Sequence, residues 1–488
     1  KKMRQVRKKK NIVQLFLLLS LIFCSCSSNE DDGVTAPYDA SKPIEIKDFT
    51  PKKGGGQMQM IIYGSNFGTD PKLISVKVGG KDAIVISAKG TSLYCVTPNK
   101  CYEGTVEVSI RESKAFAKEK FIYERQKVVT TVYGHKDERG NYDVADGTFA
   151  ESFEKNHGLL NPTWLSFDPN SDNKILYLAQ DGQPMRIIDL ENKRISTGLT
   201  NTGTTLTRMR TIAWTAKGDT MVIANDGGGP NDRDENFAST VFVTRENNFQ
   251  KDVQVLAIGK QCNGAALHPV NQELYYNNFS RGNLYRYDFL TYGAGVEAST
   301  LNREFICTIQ DSNWEFNITM HPSGNYAYLV VKNQHYIMRM NYNWESKTFG
   351  TPYLICGGVS QAGWLDGVGA SARLSSPYQG IFVKNQAYVA EGKEDQYDFY
   401  FCDRDNHAIR VLTPEGIVTT FAGRGSTSVD GKPEGYINGA IRADARFNKP
   451  VSLAYDEKND VFYIGETGNN LLRKIALEEL EEEPEEGK

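Results

Sequence analysis

The stretch VVTTVYG, residues 128–134, returns much later in the chain as IVTTFAG, residues 417–423. Both are rich in β-branched residues and end in glycine, the composition of a short strand running into a turn. Between and beyond them a three-strand phrase recurs in six cycles. Its first strands centre on WLSFDP (164–169), TIAWTA (211–216), AALHP (265–269), ITMHP (318–322), GIFVKN (380–385) and SLAYDE (452–457). Outer strands RISTGL, VQVLAIG, FICTIQ, PYLICGG and IVTTFAG complete five of the cycles. The sixth lacks one: its third strand, LLRKIAL, runs into the acidic LEELEEEPEEGK. The missing piece is VVTTVYG, placed before the first cycle. A ring of six four-stranded blades explains this, because a strand lent from the N-terminal side fastens the circle and leaves no unpaired sheet edge. The expected fold is all-β, with the propeller over residues 126–478.

The connecting phrases DGVGASARLSSP (366–377), NGAIRADARFNKP (438–450) and, more loosely, DGTFAESFEKNHGLLNP (146–162), with the core phrase DRDNHAIRVLTPEGIVTTFAG (403–423), resemble NHL repeats. The resemblance is strong in cycles five and six and in the closing strand, and only periodic in cycles two to four. It implies a six-bladed NHL-type β-propeller.

Upstream, residues 42–125 read as a separate small β module. MQMIIYG, ISVKVGG and GTVEVSI alternate apolar and polar side chains and are bounded by turn residues. About seven short strands in so few residues predict an immunoglobulin-like sandwich. Pro51, the glycines 54–56, GSNFG, VKVGG, the Val-Thr-Pro at 96–98, GTVEV and the closing FIY resemble an IPT/TIG domain. In surface lipoproteins such modules often act as spacers.

The chain opens with KKMRQVRKKK and an apolar run of about thirteen residues, too short to cross a bilayer, which needs about 20. FCSCSSNEDD follows and resembles the lipobox and acidic export tag of Bacteroidetes surface lipoproteins, with Cys26 as the lipidated residue. The expected order is a signal peptide at 1–26, an acidic linker at 27–41, the two domains, and an acidic tail at 479–488. The resemblance implies an outer-membrane, cell-surface protein anchored through lipid. Of the remaining cysteines, Cys95 and Cys101 flank TPNK and are candidates for a disulfide if the turn brings them close. Cys262, Cys307, Cys356 and Cys402 sit in apolar contexts and read as buried thiols.

Chemistry is harder to find. The net charge of −4 gives no pull toward nucleic acid. GxSxG, HExxH and the phosphate-loop motif are absent. No cofactor or metal site is expected, although the acidic glycine-rich loop at 225–237 holds carboxylates that could take Ca²⁺. His268 and His321 occupy one place in two cycles (LHP, MHP) and read as turn residues; His407 belongs to the NHL phrase.

Loops on one propeller face carry aromatic rings among amides and charges: Trp314, Trp364, Tyr436 and Phe279, with Asn277, Arg281, Asp181, Asn225 and Asp226. Rings that stack on the apolar face of a pyranose, beside groups that bond its hydroxyls, suit a sugar. Trp164, Trp214 and Trp344 read as core or opposite-face residues. The resemblance implies a non-catalytic glycan-binding lipoprotein that captures polysaccharide for a SusC/SusD-like outer-membrane importer. The alternatives are a protein-binding scaffold or adhesin and, since some NHL-type propellers are enzymes, a propeller lyase or hydrolase.

Overall fold

The computed structural model describes residues 36–479 apart from 102, 201–205, 228–236, 279–281 and 310–314. Cys26, Phe279, Arg281, Trp314 and most of the acidic 225–237 loop therefore lie outside the described residues. The chain divides into two compact units, one ending at Arg125 and the other running from Gln126 to Glu478. No helix among the described residues is long and apolar enough to cross a membrane.

The first unit is a β-sandwich whose strands follow one continuous path of hydrogen-bonded neighbours. The strand Lys81–Lys89 serves both layers: Lys81–Ala83 pairs with Ile74–Val78, and from Ile84 onward it pairs with Ser92–Val96. Alternation in the neighbouring strands sends Met60, Ile62, Val76, Val78, Leu93, Val106 and Val108 inward, where they pack with Phe49, Phe67 and Phe121. Cys95 and Cys101 are corrected by this core. They are not a disulfide but two thiols, each buried among apolar side chains. Burial pushes the Cys95 thiol up to about 12.

In the second unit each cycle folds into one antiparallel blade, and the inner strands pack side by side around the ring. Lys127–Tyr133 is the outer strand of the sixth blade. It pairs with Leu471–Leu477, Ile475 facing Val129 and Arg473 facing Thr131. In the fifth blade Ile417–Gly423 holds the same register, with Arg410 facing Thr420. The register slips one step earlier in both, between Leu472 and Arg473 and between Ile409 and Arg410. The two opening phrases are thus the same part. Each ends on a glycine with positive φ, Gly134 at 105° and Gly423 at 97°. A side chain there would also strike Leu471 or the His407 carbonyl. Each NHL-like connecting phrase adds a two-residue fifth strand to the blade it enters: Gly147–Thr148, Gly367–Val368 and Gly439–Ala440.

The repeated histidines are scaffold. His268 stacks on Tyr342 with ring centroids 4.0 Å apart. Its Nε2 donates to the Gly324 carbonyl, and its Nδ1 accepts from the Asn271 N–H. His321 stacks on Tyr326 in the same way, at 4.3 Å. A second proton on His268 Nδ1 would face an N–H donor, and burial in any case holds its pKa below 6.5, against the Gly324 carbonyl and Glu273. A base depressed on folding stabilises fully above its unfolded pKa, and that contribution is lost as pH falls through the folded one. Between pH 7.5 and 5.5 the wild type should therefore lose more stability than His268→Asn, by at most about 1.4 kcal/mol per pH unit. Parallel denaturation curves for the two proteins across that interval would remove His268 from the acid response.

Candidate functional site

The mouth of the ring is the end where second strands finish and inner strands begin. Pairing there is irregular. In blade 2, Arg210 and Thr211 stand opposite the single residue Ala224; in blade 5, Tyr378 and Gln379 stand opposite Cys402. Such bulges bend a strand and re-aim its side chains. Gln379 turns inward and is buried: its Oε1 accepts from the Leu165 and Leu453 N–H groups, and its Nε2 donates to the Leu165 carbonyl. One amide thereby ties blade 5 to blades 1 and 6 across the centre.

Arg210 and Tyr378 line a narrow, open recess of about 10 Å³ with Trp164, Thr211, Asn263, Glu315, Phe316, Asn317 and Lys332. Lys332 pairs with Glu315 at 2.5 Å and lies 5.1 Å from the centre of the Tyr378 ring. Asn317 is buried, and its side-chain oxygen has no hydrogen-bond partner among the described residues. A buried acceptor left open is costly, on the order of 1–3 kcal/mol, unless a bound group satisfies it.

Charge at the recess is held in place. Arg210 contacts Asp181 at 2.9 Å and also pairs with Asp226, while Arg208 grips Asp181 through Nε and Nη2 at 2.6 and 2.9 Å. Burial works to raise the Asp181 carboxyl, but Arg208 and Arg210 win and hold it below the ordinary aspartate value. Asp226 is more deeply buried; desolvation prevails over the same arginines, and its pKa is raised. For Glu315 the opposing burial is overcome by Lys332 and Arg210, and the carboxyl is lowered.

Of the sequence-derived candidates, Asp181 and Asp226 reach this region, as residues that position Arg210. Asn225 and Asn277 do not serve as expected. Both are fully buried at the ends of second strands, where their side-chain oxygens accept backbone N–H groups: Thr207 and Arg208 for Asn225, Asn263 and Gly264 for Asn277. They shape the loop entering each blade, as Asp403 does for Ser375 and Glu466 for Asn448. Trp364 and Tyr436 are each 44% exposed but lie in the loops entering two different blades, against the outer strands of those blades. Trp364 Nε1 donates to Thr420 Oγ1, and the Tyr436 hydroxyl meets Thr131 Oγ1. They occupy one repeated position and do not converge on the recess. Trp164, read from sequence as core or opposite-face, is mostly buried yet lines the recess; Trp214 packs within the core cluster around Phe249. Sequence reasoning missed Arg210, Asn317, Lys332 and Tyr378. The available signal was a charge or amide inside an otherwise apolar inner strand, as in RMRTIAW and EFNITM. Among the described residues no group of three or more His, Cys, Asp or Glu side chains is arranged to hold a metal ion.

Fold and mouth together define a class: a sandwich joined to a six-bladed ring with a polar, aromatic-walled entrance. Comparison with known proteins agrees. The IPT/TIG domain family matches residues 43–123. The structure of an auxiliary nutrient binding protein from Bacteroides thetaiotaomicron is 45% identical over 91% of this chain and 100% of that one, with a TM-score of 0.79. A second Bacteroides thetaiotaomicron structure, provisionally named a phosphatase, is 38% identical over 91% and 99%, with a TM-score of 0.84. NHL repeat-containing protein 2 of Bos taurus is 32% identical over 119 residues, and this chain spans only 14% of its length. The chain belongs to the same family as the Bacteroides thetaiotaomicron auxiliary nutrient binding protein.

Proposed function

We propose that this protein is a non-catalytic glycan-binding protein and that the sugar enters the mouth of the propeller. The observation that carries the reading is the open Asn317 oxygen, buried in a recess walled by Trp164 and Tyr378. A pyranose lying over the recess offers what it lacks: a hydroxyl that can reach in to Asn317 and an apolar face for a ring at the opening. Arg210 and Lys332 supply N–H donors to the remaining sugar oxygens. The name of the Bacteroides relative supports nutrient binding. In this reading Cys26 carries the lipid anchor at the outer surface of the outer membrane, and the captured polysaccharide passes to a SusC/SusD-like importer. Individual sites of micromolar to millimolar affinity, about −8 to −4 kcal/mol, suffice when one polymer contacts many anchored copies.

Affinity electrophoresis against a panel of polysaccharides, followed by calorimetry with the best oligosaccharide, tests the proposal. Tyr378→Ala and Asn317→Ala should each weaken binding about tenfold or more, the equivalent of about 1.4 kcal/mol. If no glycan retards the wild type, the glycan reading falls. If one does and both variants bind it unchanged, the mouth is not its site. A second reading follows from the relative named a phosphatase, since Arg210 and Lys332 would suit a phosphate ester. Turnover of p-nitrophenyl phosphate by the wild type, lost in Arg210→Met, would favour it.

A further inference from the structure

In a repeat protein, charged residues that recur at one position belong to the scaffold, and those that break the repeat are candidates for something else. Arg410 and Arg473 recur and are buried with their own partners, Asp403 and Asp366 for the first, Glu466 and Asn438 for the second. Arg424 and Arg442 do not recur. Where IVTTFAG continues into Arg424, VVTTVYG continues into His135; where NGAI continues into Arg442, DGTF continues into Ala150.

These two arginines converge at the rim of blade 5, on the same face as the mouth. Arg442 donates through Nη1 to the carbonyl of Gly423, the residue before Arg424. Arg424 donates through Nη1 to the Asn406 carbonyl at 2.9 Å, and its buried Nε has no partner among the described residues. Among the described residues neither arginine has a carboxylate within ion-pair distance, since Asp366 and Asp403 are taken by Arg410. The Arg424 guanidinium lies 3.8 Å from the centre of the Trp364 ring. Burial, with the neighbouring arginines, lowers the pKa of both, against Asp403 and Glu434 for Arg424 and Asp366 for Arg442.

We propose that Arg424, Arg442 and Trp364 form a subsite for an anionic substituent, a carboxylate or a sulfate ester, carried on a sugar. A guanidinium fork matches the oxygens of either group in a two-point contact, and the exposed part of the tryptophan offers the sugar a surface. The subsite rests on the glycan reading and narrows it to acidic polysaccharides.

The test compares three probes at low ionic strength by calorimetry: a neutral dextran oligosaccharide, a sulfated dextran of matched length, and an oligogalacturonide. At least one acidic probe should bind the wild type tenfold or more tightly than the neutral one. The double variant Arg424→Gln/Arg442→Gln should lose that preference while keeping its affinity for a neutral glycan that binds at the mouth. Arg442→Gln alone, at an exposed position that does not support Trp364, should lose part of it and guards against local misfolding. The sulfated and uronate arms decide which anion is preferred. An acidic probe bound no tighter than the neutral one, or a preference that survives both variants, overturns the subsite and leaves the glycan reading standing. Failure of every glycan to bind the wild type overturns both.

Discussion

A chain that begins at Gly134 should not fold into a stable propeller. It would lack Lys127–Tyr133, the only strand among the described residues that pairs with the outer edge of Leu471–Leu477. That loss exposes a row of backbone N–H and C=O groups in the last blade, the unpaired edge a closed ring avoids. It also removes Val129 and Tyr133, both with no exposed surface, and Val132, which is 9% exposed. Full burial of such side chains contributes about 1.5–3 kcal/mol each. Three of them together rival the 5–15 kcal/mol by which a whole domain is typically stable. A chain beginning at Arg125 keeps the strand and should melt cooperatively. In the full-length protein, Val129→Asp places a charge opposite Ile475 and among Ile409, Ile464 and Phe462. It should cost about 4 kcal/mol or more, in the range reserved for buried unpaired charges. Circular dichroism and thermal unfolding would show it. A normal transition in the chain lacking residues 1–133 would mean that the ring does not depend on its clasp.

The same strand shows why the architecture was readable. A closing element must resemble the outer strands it imitates, so its sequence repeats theirs, and the repeat survives as text. The inner strands were readable for a similar reason: each is a short apolar run ending at a turn residue, fixed by packing against its two neighbours. The mouth has no such redundancy. Trp164, Arg210, Asn317 and Tyr378 come from blades 1, 2, 4 and 5, and only ring closure assembles them. Arg210 and Tyr378 also depend on bulges that no periodicity announces; an ideal strand would aim them elsewhere. Trp364 and Tyr436, grouped with the mouth loops by sequence, lie outside the recess. The two rings fill one position in successive connecting phrases, and what sets Trp364 apart is the non-recurring Arg424 against its ring. Its place in a loop among amides and carboxylates made Trp364 attractive as a sugar platform at the mouth, but the hydrogen bond to Thr420 fixes it to the rim. Cys95 and Cys101 were close in sequence, yet the fold keeps them as two thiols in the sandwich core.

Arg410→Met should be among the most damaging single substitutions in the propeller. Arg410 and Asp403 have no exposed surface, and Nη1 approaches Asp403 Oδ2 at 2.6 Å. The other arm reaches Asp366 at 2.9 Å and the Leu365 carbonyl at 3.0 Å, so one guanidinium joins the second strand of blade 5 to the phrase that enters it. Replacing a whole buried pair by apolar groups can be neutral, but removing one partner strands the other charge and typically costs about 3–5 kcal/mol. The stranded group here is Asp403, which burial already raises from 3.8 to about 6 despite Arg410. Without the arginine its pKa must climb further. A carboxyl raised on folding stabilises fully below its unfolded pKa, and that contribution is lost as pH rises through the folded one. Arg410→Met should therefore be more damaging at pH 7.5 than at pH 5, where Asp403 can take up a proton. Adding Asp403→Asn should recover part of the loss at pH 7.5, because the amide can still accept from the Ser375 N–H without carrying charge. Urea unfolding of both variants at the two pH values decides the matter. A cost below about 1 kcal/mol, or one that does not change with pH, would show that the pair is not the electrostatic clamp its geometry describes.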